Sequence, residues 1–405
     1  MNITQDLLHS DITLDANIEF TSNCNLRCTY CAVSQPGYKG FTLQEDLVPP
    51  IISKLIDRGV ETVALNGHGE TTMLKNWVEM CQPLIDKIDN IQIISNFSKL
   101  FKENELSILA KFSRIYISID TSDPKLLAET RRKVDLGVIV QNIYNIRAKA
   151  IELDVEAPKF IFSAGVYDRN VLKLPDFAYW VTALNIDAIQ FWNYLKHPDI
   201  EKGINVYPIS SLSIEDKQKA LRAIDECIAI LEKNQVFYVI AGDFIEIFRK
   251  DVQQSSRDAE ANNQVSSLPL AEPTEKLVSE QSESNADIVD TNSPEQSNVS
   301  KPGIIEKCSQ GMTRNCLDPW FYTQIKATGE VLPCCVHSPI GHCSESSDLD
   351  VVLNNDNITQ LRNRLLHGDL DSECSMCVNK PLISVEEFKQ KLIDQLDTNN
   401  QKNSE

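Results

Sequence analysis

Short apolar runs alternate with amphipathic stretches over residues 16–200 of this 405-residue chain. The runs at 17–20, 61–65, 91–95, 114–119, 159–164 and 188–192 have the length and side-chain character of strands. Between them, 51–58, 73–88, 103–112, 138–153 and 174–184 place apolar residues at helical spacing, and Pro83 is expected to kink the second of these. Six rounds of strand and helix predict an α/β fold, a partial (βα)6 TIM-like barrel over residues 1–210. In such a barrel the chemistry collects in loops at the carboxyl ends of the strands.

Beyond the barrel, 213–233 reads as a long helix capped by Ser213, with Asp216 three residues on, and 236–240 reads as a further strand. Residues 211–250 are therefore a connecting helix and strand. The periodicity stops at 251. The stretch 251–303 holds ten acidic and three basic residues and no aromatic, too little apolar surface to order itself. It is expected to be a disordered acidic linker, a passive tether on the simplest reading. Residues 304–380 form a small α+β unit with a helix near 358–366, and 381–405 a C-terminal helix and polar tail.

Charge narrows the partners. With 39 Lys plus Arg against 58 Asp plus Glu, the net charge is −19, which argues against a nucleic-acid backbone or an anionic membrane surface as partner. No apolar run reaches spanning length and residues 1–10 lack the layout of a signal peptide, so a soluble cytoplasmic protein is expected. About 15 residues precede the first strand, so no separate domain is expected ahead of the barrel.

The 12 cysteines are too dilute for a disulfide scaffold, and they cluster. Cys81 and Cys227 stand alone on apolar helical stripes and read as core fillers. Cys24, Cys28 and Cys31 follow the first strand at spacings of three and two residues. Three thiolates this close can hold three irons of a cubane cluster and leave the fourth open, or can bind zinc with a ligand such as His68. Spacing alone leaves those readings comparable. Cys316, Cys334, Cys374 and Cys377 supply four further thiolates, enough for a closed cluster or a structural zinc.

The order of motifs resembles the radical S-adenosylmethionine (radical SAM) superfamily. Cys24-x3-Cys28-x2-Cys31 sits directly after strand one, with Tyr30 as the aromatic before the third cysteine. Gly67-His68-Gly69-Glu70 follows strand two, where the superfamily has a Gly-Gly-Glu segment against the methionine amino group of the cofactor; here His68 replaces a glycine and Thr71 a proline. Ser95-Asn96 ends strand three, with Phe97 where relatives carry glycine, and Ser118-Ile119-Asp120 ends strand four. The resemblance implies that Ser118 and Asp120 lie near the cofactor ribose and carboxylate, and that Arg131 or Arg132 pairs with that carboxylate. It also implies a 4Fe–4S cluster on Cys24, Cys28 and Cys31, and S-adenosylmethionine as cofactor. The activity implied is reductive cleavage of that cofactor and hydrogen-atom abstraction from an unactivated C–H bond.

The last quarter resembles the auxiliary-cluster domains called SPASM and twitch. Gly329-x4-Cys334 matches their opening hairpin, and no cysteine follows Cys377, so the one-cluster twitch layout is the better match. It implies an auxiliary 4Fe–4S cluster on Cys316, Cys334, Cys374 and Cys377. Cys308, Cys335 and Cys343 are left over, as buried residues, spare ligands or hydrogen donors to a substrate radical; His337 and His342 nearby read first as loop residues. Relatives of this layout act in peptide maturation, for example by epimerisation, or as dehydrogenases of an aminocyclitol or sugar alcohol. The implied partners are a peptide or small-molecule substrate and a flavodoxin- or ferredoxin-type electron donor. The third reading, a zinc- or cluster-binding scaffold without activity, fits the ordered strand-end motifs poorly.

Overall fold

The computed structural model describes residues 7–194, 205–241, 244–266, 311–344 and 348–402. Seven parallel strands lie in chain order: β1 (Asp15–Ile18), β2 (Thr62–Leu65), β3 (Asn90–Ser95), β4 (Arg114–Ser118), β5 (Lys159–Val166), β6 (Ala188–Asn193) and β7 (Phe237–Ile240). Helices α1 (Val48–Asp57), α2 (Trp77–Ile85), α3 (Glu103–Leu109), α4 (Pro124–Thr130), α5 (Leu136–Glu152), α6 (Leu174–Ala183) and α7 (Ile214–Lys233) connect them. All six expected strands form, and the segment read as a further strand joins the same sheet beside β6.

The strand residues alternate in burial. Ile18, Leu65, Ile93, Ile117, Phe162 and Ile189 are fully buried in the main hydrophobic cluster. Their neighbours Asn17, Gln92, Tyr116, Ser163, Gln190 and Trp192 are only half-buried. A parallel sheet covered by helices on both faces would be apolar on both. Alternation in parallel strands instead marks one helix-covered face and one inward face lining a lumen.

Helix α8 (Phe244–Ser266) corrects the expectation that order ends at 251. Phe244, Ile245, Phe248 and Val252 are buried at helical spacing, and Asp251 and Arg249 pair with Lys217 and Asp225 of α7. This face continues the helix beyond the point where composition turns polar. Residues 267–303 of the expected linker lie outside the described residues.

The C-terminal unit comprises β8 (Met312–Arg314), α9 (Asp318–Phe321), β9 (Tyr322–Ile325), β10 (Glu330–Leu332), β11 (Gly341–His342), α10 (Leu349–Leu353), α11 (Asp356–His367), α12 (Ser372–Met376), β12 (Leu382–Ser384) and α13 (Val385–Lys402). Its strands do more than build a neighbouring domain. β9 pairs parallel to β1, from Asp15↔Tyr322 to Ile18↔Ile325, and β10 and β11 extend the sheet antiparallel to ten strands. β1 is thereby covered where it would otherwise offer an unpaired edge. No helix among the described residues is long and apolar enough to cross a membrane.

Candidate active site and auxiliary thiol centre

The first cysteine loop leaves β1 and is closed by an antiparallel bridge between Thr21 and Thr42. Cys28 is buried, while Cys24 and Cys31 are half-buried. Burial pushes the Cys28 thiol up to about 12, with Cys31 and Cys24 adding to the rise and Arg131 opposing it. Burial likewise raises Cys24, helped by Glu70 and Cys31 and opposed by the Leu26 N–H, which donates to its sulfur at 3.4 Å. Thiols that raise one another's pKa are close together. Three neighbouring thiols on one loop, two of them raised by burial, are a donor set that fits an iron–sulfur cluster.

The motifs after β2, β3 and β4 converge on this loop. A side chain at Gly69 would land 2.3 Å from Thr21 O and 2.4 Å from Asn23 O, so only glycine lets the second loop lie against the first. Glu70 is buried; its Oε1 accepts from Thr72 Oγ1 at 2.7 Å and Ser95 Oγ at 2.9 Å, and its Oε2 from the Asn96 N–H at 2.8 Å. Asn96 Nδ2 in turn reaches Asn25 Oδ1 at 3.0 Å and lies 3.8 Å from Cys24 Sγ. Glu70, Ser95 and Asn96 therefore form one network beside the thiols. Ser118 is half-buried at the end of β4, paired in register with Ser163.

Arg131 and Asp120 form a buried pair: the Arg131 Nε and one terminal nitrogen donate to Asp120 at 2.8 and 3.0 Å. Asp120 is fully buried and also accepts the Gly165 N–H at 2.9 Å and the Tyr30 hydroxyl. A buried carboxylate needs such a set of donors, and the nearest fork was Arg131. Tyr30, between Cys28 and Cys31, is thus fixed by Asp120 and packs against Tyr167 and Tyr194. Arg132 is exposed.

Sequence reasoning missed Glu19. Its buried carboxylate accepts the His68 N–H and the Ala327 N–H, and a side chain at Gly67 would strike it. The signal was present: a charged residue between Ile18 and Phe20 in a strand otherwise reading as core.

The second group of thiols also comes together. Cys316, Cys334, Cys374 and Cys377 line one cavity with Arg314, Val336 and His337. Arg314 ties the C-x-x-C loop in place through Cys374 O at 2.9 Å, Ser375 O at 2.6 Å and Lys380 O at 3.0 Å. Burial pushes Cys316 up to about 12, with Asp318 and Cys334 adding to the rise. Four convergent cysteines in a shielded cavity fit a closed cluster.

Of the leftover thiols, Cys335 is exposed beside Cys334. Cys343 is buried and lines a cavity with Leu47, with Ile51 of α1 and with Leu349 of α10, a cavity that no other cysteine lines among the described residues. Burial raises its pKa to about 11. Cys308 lies outside the described residues. Cys81 and Cys227 are buried in the core, as expected.

Comparison with known proteins agrees with this arrangement. A family model of the radical SAM superfamily matches residues 18–159, and one of the SPASM iron–sulfur cluster-binding domain matches 316–378, starting on Cys316. The chain is 25% identical over 231 residues to GTP 3',8-cyclase of Limosilactobacillus fermentum, covering 55% of this chain and 62% of that protein. It is 26% identical over 229 residues to the probable GTP 3',8-cyclase of Archaeoglobus fulgidus, covering 56% and 74%. The match thus spans about three-fifths of the first of these relatives. Streptococcus suis SuiB bound to S-adenosylmethionine superposes with a TM-score of 0.53 at 16% identity, covering 89% of this chain and 70% of that one. The protein anSMEcpe with bound AdoMet gives 0.51 at 15%, covering 90% and 83%. These two likenesses show the fold. A radical SAM domain implies a 4Fe–4S cluster and S-adenosylmethionine, and a SPASM domain implies auxiliary iron–sulfur clusters. The chain carries a radical SAM domain joined to a C-terminal SPASM iron–sulfur cluster-binding domain.

Proposed function

We propose that the protein abstracts a hydrogen atom from an unactivated C–H bond of a peptide substrate in the barrel lumen. Cys24, Cys28 and Cys31 would hold the cofactor-binding cluster, and Cys316, Cys334, Cys374 and Cys377 one auxiliary cluster. When bound, the first cluster and S-adenosylmethionine supply the electron transfer and the 5′-deoxyadenosyl radical. Glu70, Ser95 and Asn96 shape the loop that receives the methionine end, and Asp120 holds Tyr30 against the cysteine loop.

The observation that carries the substrate class is the inward face between the two centres. Gln324, Asn17, Ala64 and Gln92 lie in register at one level, and Ser118, Ser163 and Gln190 at a level nearer the cofactor loops. The side chains named in these rows are uncharged, and the first row continues in register from Gln92 to the cations Arg114 and Lys159. Gln324 is 7% exposed, yet Gln324 Oε1 and Asn17 Oδ1 have no hydrogen-bond partner among the described residues, although the Asn17 amide also meets the Tyr322 hydroxyl. Buried acceptors without partners call for donors from a ligand, and amide N–H groups of a polypeptide supply them. A nucleoside triphosphate would instead call for several cations. Arg114 and Lys159, at the amino ends of β4 and β5, are exposed, with Arg114 on Asn90 and Lys159 near Asp187. SuiB, whose fold is similar, is known bound to its precursor peptide SuiA, which supports the same reading.

The outcome of the reaction divides into two readings. Epimerisation needs a hydrogen donor, for which Cys335, the exposed thiol among the described cysteines, is the candidate. Dehydrogenation, of a peptide or of an aminocyclitol or sugar alcohol, is favoured by a single four-thiol centre able to accept an electron. A flavodoxin- or ferredoxin-type protein would deliver the first electron. The test is anaerobic reaction of the reconstituted protein with S-adenosylmethionine and dithionite in deuterium oxide. Candidate substrates are GTP and peptides encoded beside the gene. Solvent deuterium in a peptide product marks epimerisation, and loss of two hydrogens marks oxidation. Conversion of GTP with no peptide product would sink the proposal.

A further inference from the structure

The two segments that carry Cys334 and Cys374 are joined by a polar clasp built from other side chains. His337 Nε2 lies 3.2 Å from Asp371 Oδ2 and 3.3 Å from Glu373 Oε2. Glu373 also accepts the Ser338 N–H at 3.1 Å and the Ser338 hydroxyl at 2.6 Å. His337 and Asp371 retain 16% and 17% side-chain exposure, so these contacts are shielded more than an ordinary surface pair. Each end of the clasp also touches a thiol segment. The His337 N–H donates to Cys334 Sγ at 3.3 Å, and Asp371 Oδ1 accepts the Cys374 N–H at 2.7 Å. One ligand atom each from His337, Asp371 and Cys374 lie within 4.8 Å of one another.

Closing the loop between Cys334 and Cys374 costs chain entropy, and four thiols must be desolvated together before any metal attracts them. A clasp that forms from backbone and side-chain hydrogen bonds can meet that cost without metal. We propose that His337, Ser338, Asp371 and Glu373 are positioning residues that pre-form the auxiliary cluster site, setting Cys334 opposite Cys374 before iron arrives. This rests on the reading that Cys316, Cys334, Cys374 and Cys377 hold a cluster.

The experiment compares full-length wild type with His337→Ala, His337→Gln, Ser338→Ala and Glu373→Ala after anaerobic reconstitution. Iron and sulfide counts, and the rate of iron release to a chelator, report the auxiliary cluster. The electron paramagnetic resonance change on adding S-adenosylmethionine reports the other cluster independently. Wild type should bind about eight irons. His337→Ala and Glu373→Ala should load less auxiliary iron from a limiting supply and release it about fivefold faster, with the S-adenosylmethionine response intact. His337→Gln, which keeps a donor towards the carboxylates, should recover most of the loss. Ser338→Ala, a small change at an exposed residue, should show the same direction even if the His337 variants fold poorly. Equal loading and release in all variants overturns the clasp and leaves the ligand assignment standing. Wild type with about four irons overturns both.

Discussion

The carboxylate of Glu19 accepts the backbone N–H of His68 at 2.6 Å and that of Ala327 at 3.1 Å. One side chain therefore joins the loop expected to receive S-adenosylmethionine to the hairpin of the C-terminal unit. Two charge-assisted bonds to a buried acid are worth more than their neutral equivalents. Glu19→Gln keeps the shape but turns an amide NH2 towards one of the two donors. It should lower stability by about 2 kcal/mol and weaken S-adenosylmethionine binding about tenfold. Urea denaturation and anaerobic calorimetry measure the two effects; cofactor affinity equal to wild type would refute the coupling.

Replacing single cysteines should separate the two centres. Cys28→Ala should reduce bound iron from about eight to about four per chain and abolish 5′-deoxyadenosine formation. Cys374→Ala should remove a similar amount while uncoupled cleavage of S-adenosylmethionine continues. Iron analysis and chromatography of the nucleoside products read both. A Cys374→Ala protein with full iron would show that Cys335 or another group is the ligand.

Phe97 adopts φ 52° where the superfamily pattern has glycine, and it is fully buried. The strained backbone costs roughly 1–2 kcal/mol. The ring packs edge-to-face on Phe101 at 5.0 Å, and Asn142 Nδ2 bonds Phe97 O at 3.3 Å. Losing a buried phenyl ring costs about 3–5 kcal/mol, which outweighs relief of the strain. Phe97→Gly should thus destabilise the protein by about 2–3 kcal/mol. A stabilised variant in chemical denaturation would show that strain dominates.

Asp350 docks α10 on α1, accepting Lys54 Nζ at 2.9 Å and Arg58 at 2.5 Å. Burial raises its pKa, but Lys54 and Arg58 more than offset this and the net shift is downward. The unfolded chain then binds this proton more readily than the folded one. Stability from Asp350 is present above the ordinary aspartate value near 4 and is lost as pH falls through the lower folded value. Its side chain is 37% exposed, so after screening the contribution is at most ~1 kcal/mol. Asp350→Asn should be less stable than wild type at pH 7, with the difference shrinking below about pH 4. A gap that persists at pH 3 in thermal melts would assign the effect to packing.

The barrel was legible because its strands alternate and its helices carry one apolar stripe each. β7 was visible as an apolar run, and the end of α8 was not, because its later residues are polar and only Phe244–Val252 anchor it. The pairing of β9 with β1 had no local signal: it joins residues some 300 apart, and periodicity says nothing about distant edges. The two groups of thiols were legible through spacing. The partner of Arg131 was not, since a sequence shows a cation but not which carboxylate competes for it. Glu19 was readable as an anomaly, though not its two partners.

The adjacency of β1 and β9 acts as a ruler. Cys24 lies beyond the carboxyl end of β1, whereas Cys334 lies two residues past Leu332, which pairs with Gln324. The two groups of thiols are thus mounted at opposite ends of one hydrogen-bonded ladder, β1–β9–β10. A two-residue slip between those strands would preserve which side chains face inward but move one group along the barrel by roughly 7 Å. The backbone ladder therefore sets how far apart the two groups of thiols stand along the barrel.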